Sequence, residues 1–330
     1  MKLNNIFSSN MVFAHNKPIR IFGEGEGKME ITFAGQTKSV VSEGGKWLLE
    51  FPAMECGGPY TLTAVSDKEK LCFENIYVGE VYLFSGQSNM EFKMRESNTP
   101  REEYTASEKL RLFSSDTMLD SDRFKPRDGW QVCKEDNIAD WTALGYLTSK
   151  QLVDKKGIAI GVISCYQGGS VIESWVPKDS FLKIGIDIPI EDKHWDHIYD
   201  EFSAWNCGPV LYERFLTTIM PFSLSGVVWY QGESDTSIAE AAVYKKELAE
   251  LIRIWRSDFK DSSLPFTVVQ IADFDPRDDE GWHNLQTAQH EIQFEVENVK
   301  TIVSRDVCES DQIHPPTKTK LATRIAEALI

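Results

Sequence analysis

What this chain lacks narrows its function first. No run of apolar residues approaches the roughly 20 needed to span a bilayer. Basic residues are scarce beside acidic ones, 35 Lys and Arg against 51 Asp and Glu, for a formal net charge of -16. Nucleic-acid binding needs clustered cations against phosphate, so that class of partner is excluded, and no membrane is expected. The six cysteines (56, 72, 133, 165, 207 and 308) contain no close C-x-x-C pair. They read as small buried hydrophobes rather than a disulfide or zinc framework. "MKLNNIFSSNMVF" has no apolar segment followed by a small-residue cleavage site, which sets the expectation of a cytoplasmic protein. Internal repeats and low-complexity segments are also missing.

What is present is an ordinary globular composition, 42% apolar and 26% charged, in a length that suits one large domain or one domain with a small partner. Residues 1–76 have β character. "PIRIFGEG", "KMEITFAG", "KWLLEF" and "YTLTAVS" are short, β-branched or aromatic, and separated by the Gly-rich stretches "GEGEG", "EGGK" and "CGGP". The spacing predicts a small N-terminal β-domain, sandwich-like. Over 77–330 the texture changes to continuous apolar runs alternating with helix-length patterns. "IYVGEVYLFSG", "IAIGVISC", "SGVVWYQG", "PFTVVQIAD" and "VKTIVSR" suit parallel strands covered on both faces. The helices expected between them include "WTALGYLTSKQLVDKK", "IAEAAVYKKELAELIRIWRSDF" and, at the end, "PTKTKLATRIAEALI". The predicted fold is a three-layer α/β domain with a parallel sheet, and in such sheets ligands bind beyond the carboxyl ends of the strands. Residues 181–206 read as an irregular insertion near those ends.

Polar residues and glycines follow the strands as that rule requires: "SGQSNM", "YQGGSVIESW", "QGESD" and "DQIHPP". Together they supply the parts for acyl transfer. Ser88 is the candidate nucleophile, and a serine hydroxyl needs a base to take its proton. His314 is that base, and Asp311, three residues earlier, would hold its tautomer. The negative oxygen of a tetrahedral intermediate needs preorganised donors, for which the N–H of Ser88, the N–H of Gly169 and the side-chain amide of Gln231 are candidates. Gln87, Asn89 and Glu233 are supporting candidates. The chain has three G-x-S steps (Gly86–Ser88, Gly168–Ser170, Gly232–Ser234), and Ser88 is preferred because it follows the most apolar strand. The second glycine of the G-x-S-x-G elbow is missing, which sets this chain apart from the usual α/β-hydrolase pattern.

These four blocks resemble the sialate O-acetylesterase family, within the SGNH hydrolases. "FSSNMVFAHNKPIRIFGEGEG" and "ENIYVGEVYLFSGQSNM" extend the likeness to the N-terminal region. The resemblance implies a flavodoxin-like sheet, a Ser88–His314–Asp311 triad, an oxyanion hole including Gly169 and Gln231, and no metal or cofactor. It implies hydrolysis of O-acetyl esters on sugars, with an O-acetylated sialic acid or an acetylated xylo-oligosaccharide as substrate. Gln286 stands where relatives commonly have Arg, which weakens recognition of a sugar carboxylate through that segment. Trp175, Trp195, Trp205 and Trp282 are candidates to stack on sugar faces, Trp175 and Trp282 foremost. Two rivals are weaker: a carbohydrate-binding protein with a relic catalytic domain, and a metal hydrolase using His194, Asp196 and His197 of "KHWDH". For the latter, no third ligand of matching spacing is apparent.

Overall fold

A computed structural model of the chain describes residues 1–115, 129–194 and 200–330, with Asp200 and Glu201 described by their backbone alone. Twelve strands are present among them: β1 (Lys2–Leu3), β2 (Val12–Ala14), β3 (Ile19–Phe33), β4 (Gln36–Phe51), β5 (Gly57–Ser66), β6 (Lys70–Gly86), β7 (Ser107–Ser114), β8 (Gln131–Cys133), β9 (Ile160–Tyr166), β10 (Gly226–Tyr230), β11 (Phe266–Val269) and β12 (Val299–Ile302).

The parallel sheet runs β7-β9-β6-β10-β11-β12, with β8 antiparallel on the β7 edge. Counted without the β7 edge, its strands follow the order 2-1-3-4-5, so the chain leaves β6 first to one side and then to the other. The crevice at such a reversal is where ligands bind in open α/β sheets. Its floor is the ends of β6 and β10, where Gly86 lies opposite Tyr230. Every residue of β9 and β10 is buried, as expected for strands covered on both faces. The helix Ala143–Lys156 packs on Thr319–Ala328, and Ile238–Asp258 packs on Glu280–Glu295. Ile238–Asp258 starts at a capping box, Ser237 accepting the Glu240 N–H while Glu240 accepts that of Ser237, which satisfies two otherwise orphaned donors. Among the described residues, no helix is long and apolar enough to cross a membrane.

The N-terminal region differs from expectation in two ways. The pairings β1-β3, β4-β3, β3-β5 and β5-β6 form one antiparallel sheet, and its last strand is β6 itself, which passes straight through the expected boundary at residue 76. The Gly-rich stretches "GEGEG" and "EGGK" are not turns. They lie inside β3 and β4, which stay paired across a bulge between Glu24 and Glu26. Such bulges take up glycines with positive φ, here Gly25 at 100°. The two regions share one core: Phe222 packs on Phe7 and Phe13 at 6.0 and 5.7 Å. Buried Arg20 donates to the carbonyls of Phe259 and Lys260 at 2.9 and 3.0 Å. The cysteines divide: Cys133 and Cys165 are buried, whereas Cys56, Cys72 and Cys207 are exposed, contrary to their reading as core residues.

Candidate active site

Gly86 makes the approach of β6 to β10 possible. Its φ is +140°, and a Cβ there would lie 2.0 Å from the Tyr230 carbonyl oxygen, so no other residue fits that turn. The next residue, Gln87, binds its neighbours on three sides. Its N–H donates to Tyr230 O at 3.0 Å, its Oε1 accepts the Gly232 N–H at 3.0 Å, and its Nε2 donates to Ser234 Oγ at 3.3 Å. The "SGQSN" and "QGES" blocks are thereby one unit. A single helical turn, Ser88–Glu91, follows and leaves Ser88 partly accessible.

His314 Nε2 lies 2.8 Å from Ser88 Oγ, across 226 residues of chain. This is hydrogen-bonding distance between a hydroxyl and a base. The imidazole has an accessible face, with Phe92 beside it at 6.4 Å between ring centres. Its pKa is lowered from 6.5, first by desolvation and then by the Lys318 ammonium, with Glu96 acting in the opposite sense. Neither sign of Lys318 nor of Glu96 was visible in the motifs.

Asp311 is exposed, and among the described residues its carboxylate has no hydrogen bond to His314 or to any other group. His314 Nδ1 is also unpartnered there.

Asn89 is 2% exposed and joins the other blocks. Its Nδ2 donates to Glu233 Oε1 at 2.6 Å and to the Ile313 carbonyl at 2.9 Å. Its Oδ1 accepts from Lys318 Nζ at 2.7 Å. Glu233 is fully enclosed, and burial raises its pKa against the opposing effects of Asn89 and Lys318. Through Asn89, Glu233 is thereby linked to the carbonyl of Ile313, the residue before His314.

The oxyanion candidates separate. The N–H groups of Ser88 and Gly169 carry no hydrogen bond among the described residues, and both residues are partly accessible. Gly169 has φ +64°, and a Cβ there would come within 2.5 Å of the Phe202 ring. Gln231 is placed otherwise than expected. It is wholly buried; its Nε2 donates to Ser170 O at 2.9 Å and to Asp235, and its Oε1 accepts from Tyr244 OH at 2.8 Å. Both amide hydrogens are committed, leaving none for an oxyanion.

The tryptophans are corrected too. Trp175 is 0% exposed, packed on Trp229 and Trp255, and donates to Ser170 Oγ. Trp282 and Trp205 are also buried, Trp282 donating to the Ala272 carbonyl. None presents a ring face to a sugar. Trp195, Asp196 and His197 lie outside the described residues. His194 directs Nε2 at the Arg277 guanidinium at 2.7 Å, a poor posture for a metal ligand. Gln286 is buried and donates to Asp273 Oδ1 and to two carbonyls at the end of β11.

Fold and site together define a class: an α/β protein with a serine–histidine pair at the reversal point of a parallel sheet. Residues 78–330 match the family described as carbohydrate esterase, sialic acid-specific acetylesterase. The chain belongs to that family. It is 27% identical to the sialate O-acetylesterase of Pongo abelii and 26% to that of Homo sapiens, over 89% of this chain in each case. It spans 62% of the length of those relatives. A solved carbohydrate acetylesterase from Xanthomonas citri is similar over 99% of this chain and 74% of its own, with a TM-score of 0.84 and 26% identity.

Proposed function

We propose that the protein is a carbohydrate O-acetylesterase working by a serine mechanism. The observation that carries this reading is the 2.8 Å contact between Ser88 Oγ and His314 Nε2 at the sheet's reversal point, supported by the family membership. His314 takes the Ser88 proton as Oγ attacks the acetyl carbonyl. The N–H groups of Ser88 and Gly169 receive the oxyanion, and the imidazolium protonates the departing sugar hydroxyl. Water then repeats the sequence on the acetyl-enzyme, releasing acetate and restoring Ser88. No step calls for a cofactor.

Asp311 is the proposed orienting acid. It shares the D-x-x-H turn with His314, and neither its carboxylate nor His314 Nδ1 has a hydrogen-bond partner among the described residues. Hydrogen bonds of this kind are often unmade in unliganded sites and close with substrate bound. Residues 77–330 form, in this reading, an SGNH-type three-layer catalytic domain of flavodoxin-like order, with residues 1–76 as its β-domain.

The substrate in this reading is an O-acetylated sialic acid, the class of ester for which the similar sialate O-acetylesterases are named. An acetylated neutral oligosaccharide is the second reading, favoured by the buried and uncharged Gln286. Acetate release from 9-O-acetylated sialic acid and from an acetylated xylo-oligosaccharide, by wild type and Ser88→Ala, tests both. Release from either, abolished by the substitution, is expected. A folded wild type that releases none and ignores p-nitrophenyl acetate would sink the esterase and bring a binding protein forward.

A further inference from the structure

Lys318 is 0% exposed, in a run ("PPTKTK") where a lysine would ordinarily be a solvated surface group. Burying an ammonium is costly unless its donors are used. Its Nζ donates to Asn89 Oδ1 at 2.7 Å and lies over two ring faces, 4.9 Å from the centre of Phe92 and 5.8 Å from that of Tyr230. Asn89 is the residue after Ser88, and its amide donates in turn to Glu233 and to the carbonyl of Ile313, the residue before His314. One buried cation is therefore linked through one side chain to the positions flanking both members of the Ser88–His314 pair.

We propose that Lys318 is a positioning residue of the esterase site, acting through Asn89 to hold the histidine turn against the turn that carries Ser88. The inference rests on the function proposed above and extends it to a residue outside the four sequence blocks. An acceptor must face Lys318, so the Asn89 amide is fixed with its nitrogen toward Glu233 and Ile313 O. A reversed amide would set its NH2 against the ammonium and leave the Ile313 carbonyl without a donor. The charge has a second effect. The ammonium opposes protonation of His314 and so keeps the base available at lower pH. The titratable and charged groups around Lys318 are His314, Tyr230 at the end of β10, Glu233 after it, and Cys308 and Glu309 after β12. The Glu96 carboxylate acts on His314 in the opposite sense, favouring its protonation.

The test is Lys318→Met, which keeps the length and removes the charge, assayed for kcat, KM and the pH profile of kcat/KM on an acetylated sugar. We expect kcat to fall about 10–100-fold with KM little changed, as for a misplaced catalytic pair, and the acid limb to move to higher pH. In an Asn89→Ala background the same substitution should add little, because the two residues act as one device. A kcat within about twofold of wild type, or penalties that multiply independently, overturns the proposal. Ser88→Ala, run alongside, separates the two levels. Activity retained there overturns the esterase site and this inference together, whereas activity lost there but unchanged in Lys318→Met overturns the inference alone. Should Lys318→Met not fold, the partner residue decides. Asn89→Ala in the otherwise wild-type chain cuts the same link from its other end, and a kcat within about twofold of wild type there overturns the proposal.

Discussion

Glu91 accepts the Gly168 N–H at 2.8 Å, so the turn that bears Ser88 and the loop that bears Gly169 are held as one piece. A Cβ on Gly168 would lie 3.6 Å from that of Ser88, which shows how closely the two segments run. Glu91→Ala is expected to lower kcat by about 10–100-fold through misplacement of the Gly169 donor. Glu91→Gln keeps an acceptor oxygen and should recover most of that loss. Equal losses in the two variants, measured in kcat with KM as control, would refute this role.

Gln231 separates a structural from a catalytic function. Its amide ties Ser170 O, Asp235 and the Tyr244 hydroxyl together in the interior. Gln231→Leu leaves Ser170 O without its donor and removes one partner each from Asp235 and the Tyr244 hydroxyl, at an expected cost of about 1–3 kcal/mol in chemical denaturation. A variant of unchanged stability whose kcat alone collapses would restore the amide as an oxyanion donor.

For the third catalytic position, Asp311→Asn should reduce kcat by several orders of magnitude, about 10⁴ in the serine-protease template, with the melting temperature little altered. Glu96 is the competing acid, because its charge already favours the His314 imidazolium. If Asp311→Asn is nearly as active as wild type and Glu96→Gln is not, the role passes to Glu96.

The pH profile follows from the environment of His314. Its pKa is lowered from 6.5, so the neutral, basic imidazole persists below that pH and the acid limb of kcat/KM should fall below 6.5. The same shift has a stability consequence. Between the unfolded value and the lower folded one, the unfolded chain binds more protons, so this group's contribution is complete above pH 6.5 and is lost as pH falls. An acid limb above 6.5 would contradict the assigned surroundings of the base.

Gly86→Ala should unfold the protein or cost at least about 3 kcal/mol, combining a forbidden φ with a clash against Tyr230 O. Thermal melting measures it, and a drop of only a few degrees would refute the close approach of β6 to β10.

The parallel strands were legible because their apolar runs are continuous, and Ser88 and His314 because each follows such a run. β7 is hard to read from sequence because "SEKLRLFS" carries charges, one of them the wholly buried Arg111. The glycines of β3 and β4 misled because a turn and a bulge use the same residue for the same positive φ. Tryptophans beside a site motif look available in a sequence, while Trp175 and Trp282 fill the core behind it. Lys318 was invisible for the opposite reason: nothing local marks a lysine whose partner is Asn89, 229 positions away.

Strand β6 pairs with β2 and β5 along its first half and with β9 and β10 along its second. The strand is held by β5 over its first half and on both sides, by β9 and β10, over Tyr82–Gly86, so it cannot slide, because any slip of one residue would reverse every side chain it presents. The antiparallel sheet thus works as the fixed stop against which the nucleophile is indexed. A chain cut at residue 77 would keep all four motif blocks and lose the reference that sets how far Ser88 projects.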